Sequence, residues 1–464
     1  MPELEKFTCP QNREIFEVNG GGHPQVNASP KSWQPSMWKP SKKLCIYRVP
    51  RSIKISHEAA YVPLVVSFGP YRHEMNTKVS GMDPHKVEAL NTISKRFNVD
   101  KNNLIQEIAS LDSATRKCYD EAIEWDKDTL AKMLAMDVCF IIQFFTSYNH
   151  ENTVRFHILN DIMKLENQIP FFIVEAIYKL IFKKDDVTSQ LTELLFGMFT
   201  RIPFYDISAG DGVSFHQLEE YIKKTPFHLL DLKRMVVADL LSAAAVEPGD
   251  YGDADRINCA HCVREWCVNV TLPVLVKKFW PTYSPHNFTP SAELLHKVGI
   301  KFKAGDIGFE SNKLSLPRVI VDDSTEIVLR NLMAYEECQR CSRSPKSTVI
   351  SHFVSLLDDL IESEKDVSIL REGGIISHLL GSDKEVANTF NQLGKGISIE
   401  PVIRFMFQSV AQRAREHYYN PWKKPFRRVK EAHCSKPLYW VSALAGTAIL
   451  VMTAVQMVYA IKGG

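Results

Sequence analysis

Apolar positions Leu130, Met133, Leu134, Val138, Ile141, Ile142 and Phe145 recur at steps of three and four, which marks one buried face of a helix. Asp137 falls on that face, four residues after Met133 and four before Ile141. A second face runs through Val154, Ile158, Ile162, Leu165 and Ile169, and Glu166 stands four residues after Ile162. Pro170 breaks that ladder, since its ring clashes with the preceding turn and it has no N–H to donate. A further helix is predicted from Phe171 to Phe182, where Glu175 and Lys179 argue against a membrane crossing.

Upstream the pattern changes. Ile46-Tyr47-Arg48-Val49-Pro50, Ala60-Tyr61-Val62-Pro63 and Val65 through Tyr71 place prolines too often for a continuous helix. They predict extended segments laid over a core. Asp83 and Pro84 read as the cap and first residue of a helix. Leu314, Leu316, Val319 and Val321 alternate weakly and predict a small hairpin within 301–321. Asp323 with Glu326, and Ser382 with Glu385, are spaced as capping boxes. Thr289 and Pro290 open a short helix closed by Gly299, and Pro401 begins the last long soluble one.

The longest apolar run lies at the end. Pro437 to Ile461 holds 25 residues without Asp, Glu, Lys, Arg or His. As a helix it reaches about 37 Å, enough to cross a hydrocarbon core with some tilt. Leu438, Tyr439 and Trp440 lie at one end and Tyr459 and Ile461 at the other, with aromatic rings where headgroups would be. Before it, Lys423, Lys424, Arg427, Arg428, Lys430 and Lys436 stand against the single acid Glu431. Such a stem suits the lipid of an anionic cytoplasmic leaflet. The expectation is a mainly α chain: an arm at 1–43, a large helical body at 44–417 with a minor β-hairpin element, a basic stem at 418–436 and one C-terminal transmembrane helix at 437–461. Gly20 to Gly22, then Pro24, Pro30, Pro35 and Pro40, leave the arm without an apolar face, so it is expected to be disordered.

Composition changes little in that picture. Over 464 residues, 45% apolar and 24% charged residues are globular values, and a net charge of +2 gives no reason to expect nucleic acid. Met1 to Asn12 lacks the apolar core of a signal peptide. With six basic residues before the span and one after it, the body is expected in the cytosol. Ten cysteines fit a reducing compartment.

Candidate chemistry is sparse. Cys259-Ala-His-Cys262 and Cys338-Gln-Arg-Cys341 are two C-x-x-C pairs, but compact zinc ribbons use far shorter separations, and structural thiols are the better reading. His261 and Cys267 do not sharpen the zinc case. Asp137 and Glu166 are carboxylates on apolar faces, a pattern that serves acid–base catalysis or, more often, a buried ion pair. Arg48, His85 and Lys86 are the candidate positive partners. Phosphate-binding glycines and hydrolase or metalloprotease motifs are absent, so no cofactor, metal or catalytic residue is assigned.

Several segments together carry a resemblance: Tyr47 to Pro50, Ala60 to Pro63, Gly69-Pro70-Tyr71, His85-Lys86, Leu165-Glu-Asn-Gln-Ile-Pro-Phe-Phe172, His228 to Leu232, Ile320 to Glu326, Arg330 to Cys338 and Gly381 to Ala387. With the closing anchor they resemble the plant family known as domain of unknown function 247. Asp83-Pro84 and Val138-Cys139-Phe140 depart from its pattern, where Glu followed by any residue and Gly-Cys-Phe are expected. The resemblance implies a mostly helical, membrane-anchored plant protein without an established activity, some grass members being linked to self-incompatibility. The expected function is recognition or scaffolding through an unidentified protein partner, possession of an acid pair at Asp137 and Glu166 leaving an enzyme as the alternative.

Overall fold

The computed structural model describes residues 44–55, 57–73, 82–146, 153–199, 213–244, 289–339, 348–393, 407–419, 448–453 and 456. The expected arm, the basic stem (Lys423, Lys424, Arg427, Arg428, Lys430, Lys436), the anchor residues Leu438, Tyr439, Trp440, Tyr459 and Ile461, and Cys259, Cys262 and Cys341 lie outside them. Over the expected body the chain forms two compact units. One draws on Met1–Phe199, Ser214–Met235 and Ile327–Thr348; the other on Thr200–Val213, Val236–Glu326 and Val349–Gly464. The protein is mainly helical, as expected.

The first unit is built on α1 (Arg51–Lys54), α2 (Pro70–His73), α3 (Asp83–Phe97), α4 (Lys101–Ser110), α5 (Asp112–Arg116), α6 (Lys127–Thr146), α7 (Thr153–Ile162), α8 (Phe171–Phe182), α9 (Thr188–Phe199) and α10 (Phe215–Lys223). It also takes the first part of α11 (Leu229–Ala244). α6 is its centre, packed by α3, α4, α8 and α9. All seven apolar positions of its predicted face are buried, and so is Asp137. By length and composition α6 would also cross a bilayer, but two thirds of that stretch is enclosed by protein, which marks a core helix.

Three expectations are corrected here. α7 ends at Ile162 rather than at Pro170, and Val154 is exposed. Met163 to Pro170 is an irregular turn in which every residue is buried. The helix predicted after it holds: Pro170 caps α8 over Phe171–Phe182 from extended backbone (φ −55°, ψ 130°), its carbonyl accepting from Ile173 N–H at 3.0 Å. At α3 the cap position is Met82, and Asp83 and Pro84 fall inside the first turn.

The second unit holds α12 (Ala292–Lys297), α14 (Val349–Leu360), α15 (Glu364–Glu372), α16 (Asp383–Leu393) and α17 (Gln408–Tyr419); between α12 and α14 in sequence runs α13 (Thr325–Gln339). Its strands make two small sheets. β1 (Lys301–Ala304) pairs in parallel with β3 (Lys313–Leu316), and β2 (Gly308–Glu310) pairs antiparallel with β3. Ser311 and Asn312 join β2 to β3 at φ 48° and 61°, the left-handed pair that a two-residue hairpin turn requires. The predicted hairpin is thus β2–β3 alone. Val319 and Val321 leave it in β4 (Val319–Val321), which pairs in parallel with β5 (Ile376–His378). Of the predicted caps, Ser382 holds Glu385 N–H at 3.3 Å. At α13 the capping acid is Asp322 rather than Asp323, accepting from Ser324 N–H at 2.9 Å. Ser291, not Thr289, precedes α12.

Candidate functional site

The sequence's two carboxylates lead to the most polar part of the first unit's core. Residues 57–69 open with the 3-10 turn Glu58–Ala60 and then run on with no neighbouring strand, so their backbone groups need other partners once buried. Side chains supply them. Asp161, at the end of α7, accepts from Leu64, Val65 and Val66 N–H at 2.9, 2.7 and 3.0 Å. Asn167 accepts from Phe68 N–H at 2.6 Å and donates to Val66 carbonyl at 3.1 Å. Asp137 accepts from Gly69 N–H at 2.9 Å. Cations occupy the carbonyl side: Arg72 donates to Tyr61, Lys164 to Val62 and Lys86 to Ser67. The segment is a strap bound by side chains where a sheet would use backbone.

The buried turn is satisfied in the same way. Gln168 donates to the Ile162 and Lys164 carbonyls, both at 2.7 Å, and accepts from Leu230 N–H at 3.1 Å. Asn331 accepts from Leu165 N–H at 2.9 Å and donates to Ala60 carbonyl at 2.9 Å, joining turn to strap. Gly69 has to be glycine: it sits at φ +67°, and a Cβ there would lie 2.5 Å from the Gln168 carbonyl oxygen.

Each carboxylate meets cations. Glu166 pairs with Arg72 and with Lys54 at 3.3 Å, has Arg48 at 3.8 Å, and accepts from Val49 N–H at 2.9 Å. Asp137 pairs with Lys86 at 2.7 Å. Burial pulls the Arg72 guanidinium below its ordinary value, and the Glu166 charge opposes that. Of the three predicted partners, Lys86 takes Asp137 and Arg48 lies beside Glu166. His85 is exposed against Glu88 at 3.9 Å and reaches neither. Sequence reasoning missed Lys54, Arg72, Asp161, Lys164 and Asn331; the one available signal was an unexplained density of polar residues in 160–168. Chemically, two acids so neutralised and so occupied with backbone donors hold structure in place. They present no paired acid and base to a substrate.

A surface cleft of about 470 Å³ in the second unit is lined by Lys365, Ser368, Arg371, His378, Ser382 and Asp383. His378 places Nδ1 3.1 Å from Leu380 carbonyl and Nε2 2.8 Å from Asp383, which also pairs with Arg371 at 3.1 Å. Both ring nitrogens face acceptors, so neither is left to activate Ser368 or Ser382. Among the described residues no group of His, Cys, Asp and Glu is arranged to hold a metal. Cys338, from one C-x-x-C pair, lies with Sγ 3.9 Å from Arg48 carbonyl.

A family model described as a plant protein of unknown function matches residues 46–452. The chain is 25% identical to a putative UPF0481 protein of Arabidopsis thaliana, with 89% of each chain covered. It is 26% identical to a second UPF0481 protein of the same plant, over 90% of this chain and 86% of that one. No solved structure matches. Strap, buried turn and the helices that bind them all fall inside the matched span, and the chain belongs to the plant family known as domain of unknown function 247.

Proposed function

We propose that this is a membrane-held recognition or scaffold protein, acting through contacts with another protein, in self-incompatibility or signalling. The observation that carries the reading is the state of Asp137 and Glu166, each ion-paired and each accepting a backbone N–H. The acid–base pair the sequence offered is committed to architecture, which favours the recognition reading over the enzyme alternative. Membrane attachment is supported by Ala448–Thr453, which is helical and leaves Ile449, Leu450, Val451 and Met452 63 to 71% exposed. Apolar side chains in that state are at home in lipid rather than water. In this reading the span is 437–461, the basic stem meets an anionic cytoplasmic leaflet, and the body stays cytosolic.

The test is fractionation with proximity labelling in plant cells, comparing the full chain with one ending at Lys436. The full chain should resist alkaline extraction from membranes and label a reproducible set of proteins, while the truncated chain turns soluble and loses that set. Full extraction of the intact chain would overturn the anchor. Identical labelling by both chains would overturn membrane-held recognition.

A further inference from the structure

The segment that leads into α1, residues 45–46, is zipped to the chain just after α5. Cys45 and Ile46 both donate backbone N–H groups to the Cys118 carbonyl, at 3.0 and 2.8 Å, and Asp120 N–H returns a bond to Ile46 carbonyl at 3.1 Å. Ile46 and Tyr119 form an isolated parallel bridge, which sets Cys45 directly beside Cys118. Strand neighbours lie about 4.8 Å apart, inside the window of roughly 4.4–6.8 Å between Cα atoms that a disulfide spans. Both thiols are free and almost wholly buried, the Cys118 thiol donating to the Ala114 carbonyl at 3.4 Å, within a cluster that includes Ile46, Tyr71 and Tyr119. The backbone register thus sets the two cysteines at the spacing a disulfide bridges.

We propose that Cys45 and Cys118 are a redox-responsive pair that closes to a disulfide and pins the segment leading into α1 to the chain just after α5. The oxidant is a low-molecular-weight disulfide such as oxidised glutathione. Cys118 loses its proton and attacks one sulfur of that disulfide, releasing one glutathione thiolate and forming a mixed disulfide. Cys45 then loses its proton as its sulfur attacks the Cys118 sulfur, and the second glutathione leaves. Two S–H bonds are lost, one S–S bond is gained, and the oxidant is reduced to two thiols. The neighbouring Cys45 lowers the Cys118 thiol, whereas the neighbouring Cys118 and burial raise that of Cys45, so Cys118 is the one to attack first.

The experiment uses the purified full-length chain in detergent, equilibrated with graded ratios of oxidised to reduced glutathione. Acid quenching, alkylation in denaturant and tryptic digestion without reductant follow. Cleavage frees Leu44–Arg48 and Cys118–Lys127, each with one cysteine. The expected result is one linked species of these two peptides, rising with the oxidant ratio and removed by dithiothreitol. Cys139 is the internal control, since burial pushes its thiol up to about 12 and it should remain alkylated alone. Recovery of both peptides only in alkylated form, or each carrying its own glutathione, would overturn the pair. Cys45→Ala should leave Cys118 as a glutathione mixed disulfide, and Cys118 linked to a third cysteine in that variant would equally count against it.

Discussion

Glu166 gathers Arg48, Lys54 and Arg72 around one buried carboxylate. Glu166→Gln keeps the shape but leaves the cations without their anion, and breaking one side of a buried pair typically costs about 3–5 kcal/mol. Chemical denaturation of the soluble body should show a loss of that order; a change below about 1 kcal/mol would mean that water screens the cluster. His228 makes a different statement. Its Nε2 lies 3.0 Å from Cys45 carbonyl and must donate, while Nδ1 accepts from Asp231 N–H at 3.2 Å, so the neutral ring satisfies both neighbours. Full burial holds its pKa at about 4, with the nearby Asp231 charge working in the other direction. The unfolded ring takes up its proton near 6.5 and the folded ring does not, so stability drops as pH falls from about 6.5 to about 4, by on the order of 3 kcal/mol. His228→Gln should flatten that slope in denaturation curves taken at each pH, and an unchanged slope would assign it to other groups.

At the scale of elements, α6 and the buried turn show what a sequence does and does not disclose. α6 was legible because its burial is periodic, and period is what a face means in sequence. Ile162 to Pro170 was read as more of the same helix because Leu165 and Ile169 happen to keep the spacing. In the folded chain 161–170 are all buried, polar and apolar alike, so no period remains to read. Asn167 and Gln168 look like surface residues until their partners, Phe68 and Leu230, are known, and those stand 99 and 62 residues away. The two carboxylates were found from sequence for the opposite reason: charges interrupting apolar faces stand out. Long-range pairing also hid the second sheet, since β4 meets β5 only after three intervening helices. The turn's aromatic neighbour yields a prediction. Phe171 is 3% exposed and Phe172 is only partly covered, so Phe171→Ala should cost about 3–5 kcal/mol and Phe172→Ala clearly less. Reversal of that ranking in thermal melts would mean that the outer ring carries the packing.

For the whole molecule, the proposed anchor puts the body on one side of a membrane, and the chain carries its own reporters of which side. Asn27-Ala-Ser29, Asn269-Val-Thr271 and Asn287-Phe-Thr289 fit the N-glycosylation pattern. A cytosolic body predicts that none is modified, so glycosidase treatment of the full chain from plant cells should leave its mobility unchanged. A shift that disappears in an Asn269/Asn287 double variant would put the body in the secretory lumen.

The bond from Asn331 to Ala60 spans 271 residues and belongs to the same compact unit at both ends. A ribosome adding about 5–20 residues per second therefore needs roughly a quarter of a minute to a minute between releasing the strap and releasing its last partner. Through that interval the Ala60 carbonyl, joined over the last 166 residues by the Leu165 N–H, waits on the growing polypeptide without the amide that later links them. The nascent chain is then a natural client for a holding chaperone, and a stalled chain ending before Asn331 should bind one more tightly than a chain that has passed it.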